Sequence, residues 1–205
     1  MPSPFDRSSI VDDLDLHGRK FVEAYTAVVD AWVVELYDDL FAGVPGVALV
    51  ATGGHGRREL APQSDLDLLL VHDGSVDLEA AQKLWYPMWD AKLKVGHSTR
   101  TVAETLVLAT DDLPTATGLL TTRCLVGDEA LAVALADAAA LQWRKQAKRA
   151  LLLLADTVDS RHLTTGEVAA ALEPDLKEGR GGLRDVHALA WIRAALPDLD
   201  VVAPE

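Results

Sequence analysis

The stretch GGHGRRELAPQSDLDLLL, residues 53–70, decides the fold of this chain of 205 residues. It begins just after a short apolar run, VALVA at residues 47–51, and ends within a second apolar run at residues 66–71. Runs of this length that are bounded by glycine, proline and polar residues are typical of buried strands. The pattern therefore predicts two strands joined by a glycine-rich connection, the beginning of an α/β nucleotide site.

Two carboxylates, Asp65 and Asp67, stand two residues apart at the start of the second predicted strand. Alternation along a strand puts both side chains on one face, close together. Two anions held in this way repel each other unless a cation lies between them. Hard oxygen ligands suit Mg²⁺, which also takes ligands from substrate phosphates. A lone Asp-x-Asp is common on surfaces, but this one leads into a core strand, and we expect it to be the catalytic metal site.

The residues between the two strands are candidates for binding phosphate. Gly53 and Gly54 lack a Cβ, so their backbone amides could approach a phosphate chain closely. Arg57 and Arg58 could reach triphosphate oxygens, for which the planar guanidinium is well suited, or could form a solvated pair. Ser64 could donate to a phosphate or only cap its turn. These five residues are the predicted nucleotide-binding set.

The order of these features is strand, Gly-Gly, ten residues, Asp-x-Asp and strand. It resembles the polymerase β-like nucleotidyltransferase superfamily. Within that superfamily, LVATGGHGRREL at residues 49–60 is similar to the GGYGRxEL element of the bacterial PII uridylyltransferases. Three further segments resemble the same family in the same order, at residues 89–104, 112–117 and 175–185. The resemblance covers residues 47 to 195.

This resemblance implies an α+β chain with the polymerase β-like nucleotidyltransferase fold: a small mixed sheet with helices, followed by a helical segment. It also implies a Mg²⁺-dependent enzyme. That enzyme would move a nucleoside monophosphate from a nucleoside triphosphate, with UTP favoured over ATP, to a tyrosine of the PII nitrogen-regulatory protein, releasing pyrophosphate. Three alternatives stay open, namely adenylyl transfer to PII, another reaction of the superfamily, and a nucleotide-binding module without turnover.

The chain departs from the family pattern at three places. His55 stands where the family often has tyrosine, and Arg58 stands where many members have glycine. In the superfamily a third acidic residue usually lies on a later strand, here near residues 94–98, and this segment contains no carboxylate. Glu178 and Asp185 are therefore candidates to complete the metal shell. The alternative is that the glycine bend between them only caps the last helix, with Asp185 paired to an arginine.

Three regions are expected along the chain. Residues 1–46 form an N-terminal tail and an amphipathic helix, because apolar residues recur there at helical spacing. Residues 47–165 form the nucleotidyltransferase domain, with a third strand near residues 92–98. Residues 166–205 are expected to be the start of a following helical region that continues beyond this chain. From residue 113 onward the pattern predicts helices almost throughout.

Composition restricts the partners and the compartment. The chain has 32 acidic and 19 basic residues, a net charge of -13, which argues against binding nucleic acid. A small nucleotide held by a few local cations remains compatible with that charge. No stretch approaches the roughly 18 apolar residues that span a bilayer, and the acidic N-terminus is unlike a signal peptide. We therefore expect a cytoplasmic protein that does not bind membranes.

Overall fold

A four-stranded mixed sheet lies at the centre of the fold. The computed structural model describes residues 5–170 and 172–198, and its strands are β1 (Val47–Ala51), β2 (Leu66–His72), β3 (Val95–Thr101) and β4 (Arg123–Gly127). Their order across the sheet is β3-β2-β1-β4. Strand β1 is antiparallel to β2 and β4, whereas β2 and β3 are parallel.

Helices surround the sheet. Those in the described residues are α1 (Ser8–Val11), α2 (Gly18–Phe41), α3 (Gly53–Gly56), α4 (Leu78–Gln82), α5 (Tyr86–Asp90), α6 (Val102–Asp111), α7 (Leu113–Leu119), α8 (Glu129–Lys145), α9 (Ala147–Thr165) and α10 (Leu183–Ala195). Several begin at a side-chain cap that accepts a hydrogen bond from the first turn, as at Asp77, Thr101, Asp112 and Asp128. No helix among the described residues is both long and apolar enough to cross a bilayer.

The predicted α+β architecture is confirmed, with one error in the elements. Strands β1 and β2 lie where the apolar runs predicted them, and β3 begins three residues later than expected. Strand β4 lies in the region that was predicted to be helical, and that prediction is wrong. The segment is only five residues long, and its strand conformation depends on hydrogen bonds to β1, which is distant in sequence.

The core consists of two apolar layers, one on each side of the sheet. Helix α2 packs on one face, where Leu66, Leu68 and Leu70 point. Helices α6 and α8 cover the other face, where Leu69 and Val71 point. Because side chains alternate along a strand, Asp67, the residue before Leu68, emerges on the α6–α8 side, near the start of β2, where it is only partly buried. The fold thus brings one carboxylate of the Asp-x-Asp pair to the rim of the core.

Helices α9 and α10 extend the α8 side of the molecule. Trp143 of α8 donates its indole N–H to the main-chain oxygen of Trp191 on α10, over 2.9 Å. A small apolar cluster that includes Ala150 and Ala195 joins the three helices. The boundary predicted at residues 165 and 166 falls at the end of α9 and stays a prediction, but α10 packs directly on α8 and α9.

Candidate functional site

The glycine turn, residues 53–56, forms α3 and follows β1 immediately. Gly53 has a φ of 55°, in the left-handed region that favours glycine. A Cβ at Gly53 would also lie 2.8 Å from Oδ2 of Asp67, so the carboxylate would have to move to admit it. The backbone N–H of Thr52 donates to the main-chain oxygen of Asp67 over 2.9 Å. The turn and the second carboxylate are therefore held against each other.

The two predicted carboxylates interact electrostatically. Asp65 is exposed just before β2, and Asp67 is partly buried as the second residue of that strand. Burial raises the pKa of Asp67 and the charge of Asp65 raises it further, whereas His55, Lys177 and Arg184 oppose the rise. A divalent cation between the carboxylates would remove this repulsion, so the donor set fits Mg²⁺.

The neighbouring strand supplies no third carboxylate. Gly96 of β3 pairs with Asp67, and a Cβ there would lie 3.1 Å from Oδ1 of Asp67. A side chain at Gly96 would therefore contact the Asp67 carboxylate closely. Within residues 5–170 and 172–198, no group of three or more His, Cys, Asp or Glu side chains is arranged to hold a metal ion. A metal here would rely on Asp65, Asp67, water and substrate oxygens.

The three side chains predicted to bind phosphate differ in their contacts. The Arg57 guanidinium lies over Gly54, with Nη2 3.8 Å from where a Cβ would stand, and its Nε donates to Glu59 over 2.7 Å. Arg58 is exposed and has a φ of 61°, which explains why glycine suits this position in the family. Ser64 accepts a hydrogen bond from the N–H of Ala61 over 3.0 Å, so here it caps its turn.

The two candidates for a third metal ligand are engaged with basic residues. Asp185 accepts hydrogen bonds from Arg161, from His162 and from the backbone of Gly181. Burial would raise the pKa of Asp185, but these hydrogen bonds outweigh it and lower the pKa to about 2. Glu178 accepts from Nε of Arg184 over 3.2 Å. These contacts favour the alternative in which the bend caps α10, and the metal shell considered below contains Asp65 and Asp67 alone.

Sequence reasoning missed a polar network beneath the glycine turn. His55 is fully buried, and its Nε2 lies 2.8 Å from Oδ1 of Asp30, in the middle of α2. Arg123 of β4 donates to both oxygens of Asp30, over 2.8 and 3.2 Å, and to the main-chain oxygens of His55 and Gly56. Burial raises the pKa of Asp30, but the two partners outweigh it and leave that pKa below its ordinary value. The network ties the turn to α2 and β4.

One signal for this network is present in the sequence. Asp30 follows Val29 and precedes Val33 on the apolar side of α2, where both valines are fully buried. A charged residue at such a position needs a partner, because an unpaired buried carboxylate is costly. The sequence does not identify that partner, since Arg123 lies 93 residues away in the strand that was predicted to be helical.

A mixed sheet that sets a glycine turn beside a carboxylate pair has the architecture of the nucleotidyltransferase class. Comparison with known proteins narrows the class to a family. The family model described as GlnD PII-uridylyltransferase matches residues 144–203. A bifunctional uridylyltransferase/uridylyl-removing enzyme of Mycobacterium tuberculosis is 44% identical over 78% of this chain and 20% of the relative. Over its matched residues, the chain belongs to the family of these enzymes.

Two further relatives bear the same description. The enzyme of Streptomyces coelicolor is 43% identical over 84% of this chain and 21% of its own length. That of a Bradyrhizobium species is 37% identical over 87% of this chain and 20% of its own length. The chain thus spans about a fifth of these curated relatives. A toxin–antitoxin crystal structure with AMP-PNP is 14% identical, covers 60% of this chain and 94% of its own chain, and has a TM-score of 0.41.

Proposed function

We propose that the chain carries the nucleotidyltransferase activity of a PII uridylyltransferase. The observation that carries the proposal is the contact of Asp67 with the glycine turn, which sets a carboxylate pair against backbone that a phosphate chain could approach. The description of the relatives as uridylyltransferases supports UTP as the donor and PII as the acceptor. Because nucleoside triphosphates are the donors, we propose that the protein acts in the cytoplasm.

In the proposed reaction, a tyrosine hydroxyl of PII attacks the α-phosphorus of UTP. The new bond joins the tyrosine oxygen to phosphorus, the bond to the β-phosphate breaks, and pyrophosphate leaves as the hydroxyl proton is lost. Mg²⁺, held by Asp65 and Asp67, would supply charge stabilisation for the triphosphate. The chain's own residues position the groups: Gly53 and Gly54 admit the phosphates, and Arg57 stands over the turn.

The network below the turn makes that positioning rigid. Arg123 holds the carbonyl groups at the end of α3 while Asp30 holds both Arg123 and His55. A turn fixed from below keeps its amides in one orientation, so little reorganisation is needed when charge develops on the phosphates. Two further residues are candidates for contacts with the nucleotide. They are Arg58, which is exposed beside this fixed turn, and Ser64, which caps its own turn.

The proposal is tested by incubating the chain with purified PII, Mg²⁺ and either α-labelled UTP or α-labelled ATP. Label on a PII tyrosine with UTP is the expected result. Label on PII from ATP but not from UTP would show that the chain transfers adenylyl groups instead of uridylyl groups. Label on neither would contradict transfer to PII, and a screen of other acceptors would then test the remaining reactions of the superfamily.

A second candidate function is nucleotide binding without turnover. The observation that favours it is Gly96, which stands where a third carboxylate could have flanked Asp67. Tight binding of Mg²⁺ and UTP, together with no transfer to PII in the labelling assay, is the result that would select this function over catalysis.

A further inference from the structure

A second segment of the chain faces the glycine turn from α10. His187 of α10 lies with its Nε2 3.2 Å from Oε2 of Glu59, the carboxylate oxygen to which Arg57 also donates. This contact joins α10 to the residues that follow the turn. Arg184 precedes His187 by three residues and therefore lies on the same face of α10. The face of α10 that carries both residues is thus directed toward the turn.

The bend before α10, residues 175–182, brings a lysine beside this arginine. The backbone N–H of Arg184 donates to the main-chain oxygen of Lys177 over 3.0 Å. The bend is held in shape by Asp175, which accepts from the N–H groups of Lys177 and Glu178 over 2.9 Å each. Asp185 holds the other end through Gly181. Lys177 and Arg184 are therefore placed together before any ligand arrives.

The charges of these two cations act on the Asp67 carboxyl. Burial and the charge of Asp65 raise the pKa of that carboxyl, and the charges of Lys177 and Arg184 oppose the rise. Burial lowers the pKa of His187, and the charges of Arg57 and Arg184 lower it further. Positive charge is thus concentrated between α10 and the glycine turn, in a chain whose net charge is -13. Only Nε of Arg184 is used by Glu178. The remaining guanidinium groups and the exposed ammonium of Lys177 are donors suited to phosphate oxygens.

We propose that Lys177 and Arg184 form the second wall of the nucleotide site and bind the β- and γ-phosphates, the part that leaves as pyrophosphate. This inference rests on the proposed function, because it assigns the ligand to the same site. Asp65 and Asp67 lie on the sheet side of the triphosphate, and the two cations lie on the α10 side. The chain therefore contributes ligands from both its sheet and its C-terminal helical part.

The test measures how Lys177→Gln and Arg184→Gln bind Mg²⁺·UTP, inorganic tripolyphosphate and UMP by calorimetry on the 205-residue chain. Arg180→Gln is the matched control. It removes the same charge from the same bend, but the Arg180 side chain is 61% exposed and pairs with Glu167. We expect each test variant to bind UTP and tripolyphosphate at least about tenfold more weakly. The control should change by less than about twofold, and UMP binding should be equal in all variants.

Several results would overturn the inference. These are wild-type affinity in both test variants, equal losses in the control and the test variants, or a wild-type chain that does not bind tripolyphosphate. Arg184→Lys, which keeps the charge, and the melting temperature of each variant separate a lost ligand from a lost fold. Failure of the proposed function can be distinguished from failure of this inference. If the wild-type chain binds tripolyphosphate through Arg184 but transfers nothing to PII, the inference stands and the transfer reaction does not.

Discussion

At the scale of single residues, Arg58 has a backbone conformation that conflicts with its side chain. Its φ of 61° lies in the left-handed region, where a Cβ crowds the following carbonyl group at a cost of about 1–2 kcal/mol. The exposed side chain forms no buried contact that offsets this cost. This strained residue lies in the connection between the glycine turn and β2.

Arg58→Gly should therefore raise the free energy of unfolding by about 0.5–1 kcal/mol, since relief of strain exceeds the extra entropy of an unfolded glycine. Urea denaturation measures the change. Arg58→Ala is the control, because it removes the guanidinium but keeps the Cβ, and it should give no such gain. Equal stabilisation by both variants would show that the gain comes from removing the charge of Arg58 and not from relief of backbone strain.

Asp185 is a second residue with a predictable effect on stability. Its pKa of about 2 in the folded chain lies below the ordinary carboxyl value near 3.9, so the folded state favours the ionised form. Its contribution is then fully present above about pH 4 and is lost as the pH falls toward 2. Asp185→Asn should lower the free energy of unfolding by about 2 kcal/mol relative to wild type at pH 7.

That difference should shrink between pH 4 and pH 2, as measured by urea denaturation across the range. The control is Asp156→Asn, which removes one exposed carboxylate from α9. A difference between Asp185→Asn and wild type that stays constant down to pH 2 would mean that ionisation of Asp185 does not stabilise the bend before α10.

At the scale of elements, Arg123 joins three segments that are far apart in the chain. It connects β4 to Asp30 of α2 and to the carbonyl groups of α3. Removing one partner of a largely buried ion pair leaves the other charge without compensation, at a cost of several kcal/mol. Here both side chains keep about a fifth of their surface exposed, which moderates that cost.

We expect Arg123→Gln to lower the free energy of unfolding by about 2–3 kcal/mol. The double variant with Asp30→Asn should recover part of this loss, because no unpaired carboxylate remains. A double-mutant cycle by chemical denaturation measures the coupling. Independent, additive effects of the two changes would show that the pair does not join the elements.

Some parts of the fold and of the site could be predicted from the sequence, and others could not. Residues 47–71 carry their structure locally, in two apolar runs, a glycine pair and two carboxylates, so β1, β2 and the position of Asp67 follow from the pattern. The partnership of Asp30 and Arg123 spans 93 residues and depends on β4, whose short segment has no period of its own. Contacts made only by the assembled sheet leave no local pattern.

At the scale of the whole molecule, the charges are distributed unevenly. The chain has a net charge of -13, yet Arg57, Lys177 and Arg184 gather around the glycine turn. Charges on an exposed surface are screened beyond about 8 Å at physiological salt, so a small ligand would sense the local cations more than the distant acids. A long polyanion would meet the acidic surface as well.

We therefore expect the chain to bind Mg²⁺·UTP but not single-stranded RNA at about 0.15 M salt. Fluorescence anisotropy with labelled RNA and with a labelled UTP analogue compares the two ligands under one condition. RNA affinity equal to or above that for the nucleotide would contradict this view of the surface.

The most direct test of the central claim is Mg²⁺-dependent transfer of label from UTP to PII by wild type and by Asp67→Asn. We expect labelled PII with wild type and a loss of about two to three orders of magnitude in the transfer rate of the variant. Without Mg²⁺ the variant should melt at the same or a higher temperature at pH 7, because the raised pKa of Asp67 means that its ionised form destabilises the fold. Transfer at the wild-type rate by a folded Asp67→Asn chain would contradict the account.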